Sequence, residues 1–175
     1  MLPEAPSGLV PSEIRSEQLF ERATARCVRG PEGSGEVLRR LRAGDPDMHS
    51  RFRYALAKEL AEYLARLEAG FCGIYLYGSA MGEAASQYSD IDVIVVVESR
   101  HDETMRVLAR LDLSLVTQYR CLVGTRTRPS SLLDARVIEE ADIARRDGYG
   151  AIVDGLFTRP VCLWRSTPDG AGASR

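Results

Sequence analysis

The chain has 175 residues, of which 45% are apolar and 27% charged, with 23 basic residues against 25 acidic ones and a formal net charge of −2. That length supports one core, or one domain with an appendage, and the near-neutral balance gives no overall pull on polynucleotides or anionic membranes. The longest apolar run, Val93 to Val97, is far short of the roughly 20 residues a spanning helix needs, and Met1 to Val10 lacks the basic start and apolar stretch of a leader, so a cytoplasmic protein is expected.

Met1 to Pro11 holds three prolines and little to bury, and Ser166 to Arg175 is small, polar and glycine-rich. Both are expected to be flexible ends. From Ser12 to about Val28 a helix is expected, because Ile14, Leu19, Phe20 and Ala23 fall near one face. Gly30 to Gly35 reads as a linker, since it lacks the preceding strand of a dinucleotide-binding turn; Glu36 to Arg42 reads as a short helix, and Gly44-Asp45-Pro46 as a break. Phe52, Leu56, Leu60, Tyr63, Leu64 and Leu67 then recur at intervals of three and four, the mark of an amphipathic helix that Gly70 stops.

After Gly70 the period changes. Ile74 to Tyr77 is a short β-prone run ended by Gly78-Ser79, and Ile91 to Val97 is a nearly continuous Val/Ile run of the kind covered on both faces. His101 to Arg110 predicts a short helix with Met105, Leu108 and Ala109 inward. Leu111, Leu113 and Leu115 alternate with Asp112, Ser114 and Val116, which predicts a third strand over Leu111 to Tyr119. Leu132 to Arg146 is helical by composition, Ala151 to Leu156 a short helix, and Val161 to Trp164 a last strand. The expected fold is α/β (α+β), a small mixed sheet with packed helices, divided into a helical extension over 12–45 and a sheet-bearing domain over 46–165.

Cys27, Cys72, Cys121 and Cys162 form no Cys-x-x-Cys pair and His49 and His101 stand apart, so neither a thiolate zinc site nor a redox pair is written in the chain. Lys58 is the only lysine, so phosphate contacts are expected from arginine or from backbone amides. The residues that carry chemistry are Asp90 and Asp92, two apart at the start of the most apolar strand and so on one face. Paired carboxylates beside a core repel and lose hydration unless a cation neutralises them, and a divalent metal is the simplest partner. A turn at a capped surface edge is the alternative for an isolated Asp-x-Asp. Tyr77-Gly78-Ser79 stands upstream, where a strand gives way to an expected helix near Ala80; such a turn offers free amides and a hydroxyl to an anion. A phosphate cradle beside a carboxylate pair suits a nucleoside triphosphate with bound Mg²⁺.

Gly78-Ser79, ten residues, Asp90-Ile91-Asp92 and then Val93-Ile94-Val95-Val96 resembles the signature of the polymerase-β-type nucleotidyltransferase superfamily. Tyr75-Leu76-Tyr77-Gly78-Ser79 with Ser89-Asp90-Ile91-Asp92 is most similar to the minimal nucleotidyltransferases, which include MNT-type antitoxins and share a core with aminoglycoside nucleotidyltransferases. The resemblance implies that Gly78 and Ser79 hold the triphosphate and that Asp90 and Asp92 hold Mg²⁺. It also implies a third metal and catalytic carboxylate from a later strand, and Asp112 is the candidate, with Glu98, Asp102 and Glu103 as competitors. Ala80 stands where many relatives carry an arginine; Arg120, Arg126 and Arg128 are alternative phosphate contacts or a solvated edge. The implied activity is transfer of a nucleoside monophosphate from ATP or another NTP, with two Mg²⁺ ions, to a hydroxyl acceptor. Only about sixty residues follow Asp112, so a protein acceptor such as a HEPN-type toxin is expected in place of the extra C-terminal domain of the larger enzymes. A small-molecule acceptor, served by the N-terminal helices, and a non-catalytic antitoxin or scaffold are the alternatives; those helices could equally form a homo-oligomer surface.

Overall fold

The computed structural model describes residues 16–67, 70–78, 86, 88–124, 131–155 and 159–166. Both expected flexible ends, apart from Ser166, lie outside them. Three helices come first: α1 (Ser16–Cys27), α2 (Ser34–Arg42) and α3 (Pro46–Ala65). Asp45 caps α3 by accepting from the Met48 amide at 3.2 Å, with Pro46 in the first turn, and Arg40 Nε holds the same carboxylate at 2.7 Å. The break at Gly44-Asp45-Pro46 is thus a tight corner between two helices. Helix α3 is buried on most of its circumference, Phe52, Leu56, Leu60 and Leu64 among others, because α1 packs on one side of it and the sheet on the other. Phe20 of α1 meets Phe52 with ring centroids 5.5 Å apart.

The sheet has four strands, β1 (Phe71–Leu76), β2 (Ile91–Val97), β3 (Leu133–Glu139) and β4 (Val161–Arg165), in the order β3-β2-β1-β4. β2 runs antiparallel to β1 and parallel to β3, and β4 closes the other edge antiparallel to β1. The fold is therefore α+β on a mixed sheet. Ile91, Val93, Val95 and Val97 face a core cluster that continues without a break through α1, α2, α3 and α4 (Asp102–Val123). Ile94 and Val96 face a second, smaller cluster on the opposite side, shared with α5 (Glu140–Arg145) and α6 (Tyr149–Val153). The continuous Val/Ile run is explained by cover on both faces.

The expectation fails over two stretches. Leu111 to Tyr119 is not a strand but the second half of α4, a helix of 22 residues. Leu108, Leu111, Leu115 and Tyr119 are buried at intervals of three and four, whereas Leu113 is 69% exposed and Met105 50% exposed. Leu111 and Leu115 are four apart, which suits both periods; Leu113 decides between them. The third strand lies instead at Leu133–Glu139, inside the stretch expected to be helical, and only α5 remains of that helix. Leu133, Ala135 and Val137 face the main core while Asp134 and Arg136 alternate with them, so tertiary pairing with β2 overrides the helix-favouring composition.

Candidate metal centre

The sheet end at the start of β2 is built from backbone connections. The Tyr77 amide donates to the Asp92 carbonyl at 3.1 Å, carrying β1 past its last residue toward β2. Gly78 follows with φ +75°, and a Cβ placed there would stand 2.3 Å from Asp92 Oδ2 and 2.9 Å from its Cγ. Only glycine lets the backbone lie against that carboxylate. Ser79, Ala80 and most of the expected helix from Ala80 to Tyr88 lie outside the described residues, as do Arg126 and Arg128.

Asp92 stands opposite Asp134 in the parallel register of β2 and β3. With Asp90, one residue before β2, they form a group of half-buried carboxylates that each offer an oxygen within 4.8 Å of the others. Asp90 and Asp92 therefore come together as the spacing predicts, but the third member is Asp134, not Asp112. Asp112 lies on α4, where its Oδ1 accepts from the Leu132 and Leu133 amides at 2.8 Å each. It fixes the entry to β3 and has no place among the three carboxylates; Glu98, Asp102 and Glu103 are exposed and are not part of the group either. The signal that would have found Asp134 is the alternation Leu133, Ala135, Val137 around it, the same period that Leu111, Leu113 and Leu115 show around Asp112.

Arg136, two residues along β3 and on the same face, donates from Nη2 to Asp134 Oδ2 at 2.9 Å. Its guanidinium also lies 5.7 Å from the Tyr149 ring centroid. Tyr149 meets Tyr77 edge-on at 5.8 Å. Gly150 lets α6 approach α5 so closely that a Cβ there would stand 2.2 Å from the Asp142 carbonyl oxygen, which brings Tyr149 to this face. Burial, reinforced by Tyr149 and by the charge of Asp92, pushes the Tyr77 phenol up to about 12. Tyr77 is thus a neutral hydroxyl at the edge of the acidic group.

Three half-buried carboxylates are a hard, all-oxygen donor set, which fits Mg²⁺ or Mn²⁺ and does not fit a thiolate-loving ion. The four cysteines are free thiols in other parts of the fold, Cys27 and Cys72 buried and Cys121 and Cys162 exposed. His101 is an exposed helix N-cap, and Trp164 of β4 pairs with Ile74 of β1 and packs against the main core. No helix of the described residues is long and apolar enough to cross a membrane. Comparison with protein-family models, with curated proteins and with solved structures gives no match to this chain in any of the three.

Proposed function

We propose that the chain is a divalent-metal-dependent nucleotidyltransferase that moves a nucleoside monophosphate from ATP, or another NTP, to a hydroxyl acceptor, with pyrophosphate leaving as the bond between the α- and β-phosphates breaks. The observation that carries this is the approach of Asp90, Asp92 and Asp134 to within 4.8 Å of one another beside the Gly78 turn. A lone Asp-x-Asp at a strand start is a common surface feature. A third carboxylate brought from a separate strand to the same point, half-buried and with Arg136 beside it, is a site that a cation would stabilise.

In this mechanism Asp90, Asp92 and Asp134 would hold Mg²⁺, whose charge would supply stabilisation of the phosphoryl oxygens. Gly78 keeps the backbone of the turn against Asp92, and by the resemblance Gly78 and Ser79 hold the triphosphate. Asp134, at the outer member of the parallel pair, takes the proton of the acceptor hydroxyl as general base. Arg136 is held ready beside Asp134 and supplies a guanidinium for phosphate oxygens, a role for which Ala80 has no equivalent. The Tyr77 hydroxyl, neutral at working pH, is a donor at the rim.

By the resemblance to MNT-type antitoxins, the acceptor is a side-chain hydroxyl of a partner protein, with a HEPN-type toxin as the first candidate. The test is incubation with Mg²⁺, each α-labelled NTP in turn and the product of the neighbouring gene, beside a panel of aminohydroxyl small molecules. Label on the protein partner that disappears with Asp92→Asn supports the proposal. Label only on a small molecule moves the acceptor to that class, and Mg²⁺-ATP binding without label on any acceptor turns the reading into a non-catalytic binding protein.

A further inference from the structure

Arg53 of α3 is completely buried, yet no carboxylate among the described residues pairs with it. Its three nitrogens are each taken by a neutral acceptor. Nη1 donates to His49 Nδ1 at 2.9 Å, Nη2 to the Tyr119 hydroxyl at 3.2 Å, and Nε to the Ser89 carbonyl at 2.7 Å. The His49 Nε2–H donates to the Leu41 carbonyl at 3.0 Å, which leaves Nδ1 as the acceptor facing Arg53. The guanidinium also lies 5.4 Å from the Tyr119 ring centroid. An isolated buried cation is costly, and an apolar side chain of similar volume would serve the packing of α3 against α4 at least as well. Two of the three bonds stay within the helical layer. The third leaves it and grips the main chain one residue before Asp90.

We infer that Arg53 is a positioning residue of the carboxylate site, holding the Ser89 carbonyl so that the entry to β2 presents Asp90 toward Asp92 and Asp134. The inference rests on the metal site proposed above. Asp112 acts in the same way on the neighbouring strand, since its carboxylate grips the amides of Leu132 and Leu133, the two residues just before Asp134. The two gripped segments are themselves joined, the Ile91 amide donating to the Leu132 carbonyl at 2.8 Å. One side chain from α3 and one from α4 thus set the two strand entries from which the carboxylates project. His49 and Tyr119, both buried, hold the guanidinium in its plane so that Nε points at Ser89.

A charge acting only through space would have the opposite effect to a clamp: removing a cation near carboxylates tightens divalent metal binding. The test compares wild type, Arg53→Met and Tyr119→Phe by Mn²⁺ titration read by electron paramagnetic resonance, with near-UV circular dichroism confirming the native fold at the assay temperature. Hydrogen exchange of the segment from Tyr88 to Val95 is followed in the same samples without metal. Arg53→Met is expected to raise the Mn²⁺ dissociation constant about tenfold or more and to speed exchange in that segment while leaving α1 and α2 protected. Tyr119→Phe keeps the ring and removes one acceptor, and should weaken binding about threefold in the same direction; it stands alone if Arg53→Met does not fold. Mn²⁺ affinity unchanged or tighter in the folded variants, or exchange that rises equally throughout the molecule, would overturn the positioning role. Wild-type protein that binds no Mn²⁺ would instead remove the metal site, an outcome read separately from the exchange of the Tyr88 to Val95 segment.

Discussion

At the scale of single residues, the site depends on atoms that fit only one way. Gly78 and Gly30 both have positive φ, +75° and +60°, but a Cβ at Gly30 meets nothing within 4 Å whereas at Gly78 it meets the Asp92 carboxylate. Alanine at either position should cost about 1 kcal/mol in stability from the backbone conformation. Only Gly78→Ala should also weaken Mn²⁺ binding, which calorimetric titration of the two variants side by side would establish. Asp112 makes a different demand. Asp112→Ala leaves two amides at the β3 entry without their acceptor and should lower stability by about 1 to 3 kcal/mol in urea unfolding. Asp112→Asn keeps an acceptor oxygen and should lose less, with metal affinity per folded molecule little changed in that variant.

At the scale of elements, α4 and β3 exchange the roles that their sequences suggest. Leu111→Ala removes a fully buried side chain and should cost about 2 to 5 kcal/mol, while Leu113→Ala, on the exposed face, should shift the urea midpoint hardly at all. Equal losses at both positions would restore the alternating strand. The first three helices, β1, β2 and the last strand are legible because their apolar runs and the glycine breaks between them stand out, whereas α4 and β3 are not. Asp90 and Asp92, two residues apart at the start of β2, are legible too. The third carboxylate is not legible in the same way, because two apolar-Asp-apolar stretches compete. Leu111-Asp112-Leu113 satisfies a two-residue period by the coincidence of Leu111 and Leu115, and Leu133-Asp134-Ala135 is rich in good helix formers. What separates them is pairing with β2, a contact that no local pattern contains. Arg53 is hidden for a related reason: within α3 it reads as one more charge on an amphipathic helix, and only the packing of the sheet shows that its face is covered.

At the scale of the whole molecule, the helical layer and the carboxylate site share one electrostatic balance. His49 is held down to about 4 by burial, with the Arg53 charge adding to it, against an ordinary value of 6.5. Since the unfolded chain binds that proton and the folded one does not, its contribution to stability is complete above about pH 6.5 and falls as the pH drops toward 4. Between pH 7 and pH 5 the wild type should lose about 2 kcal/mol from this group. His49→Gln, which keeps a donor for the Leu41 carbonyl, should flatten that part of the urea-unfolding profile; an unchanged slope would place the proton elsewhere. Because His49 also steadies Arg53, acid should loosen the entry to β2 before it unfolds the helices. The gathering of Asp90, Asp92 and Asp134 from two parallel strands is tested most directly by isothermal titration of Mn²⁺ into wild type, Asp134→Asn and Asp112→Asn. Asp134→Asn should weaken binding at least tenfold with the fold intact and Asp112→Asn should bind within about threefold of wild type, whereas the reverse ranking, or wild-type affinity in Asp134→Asn, would contradict the site.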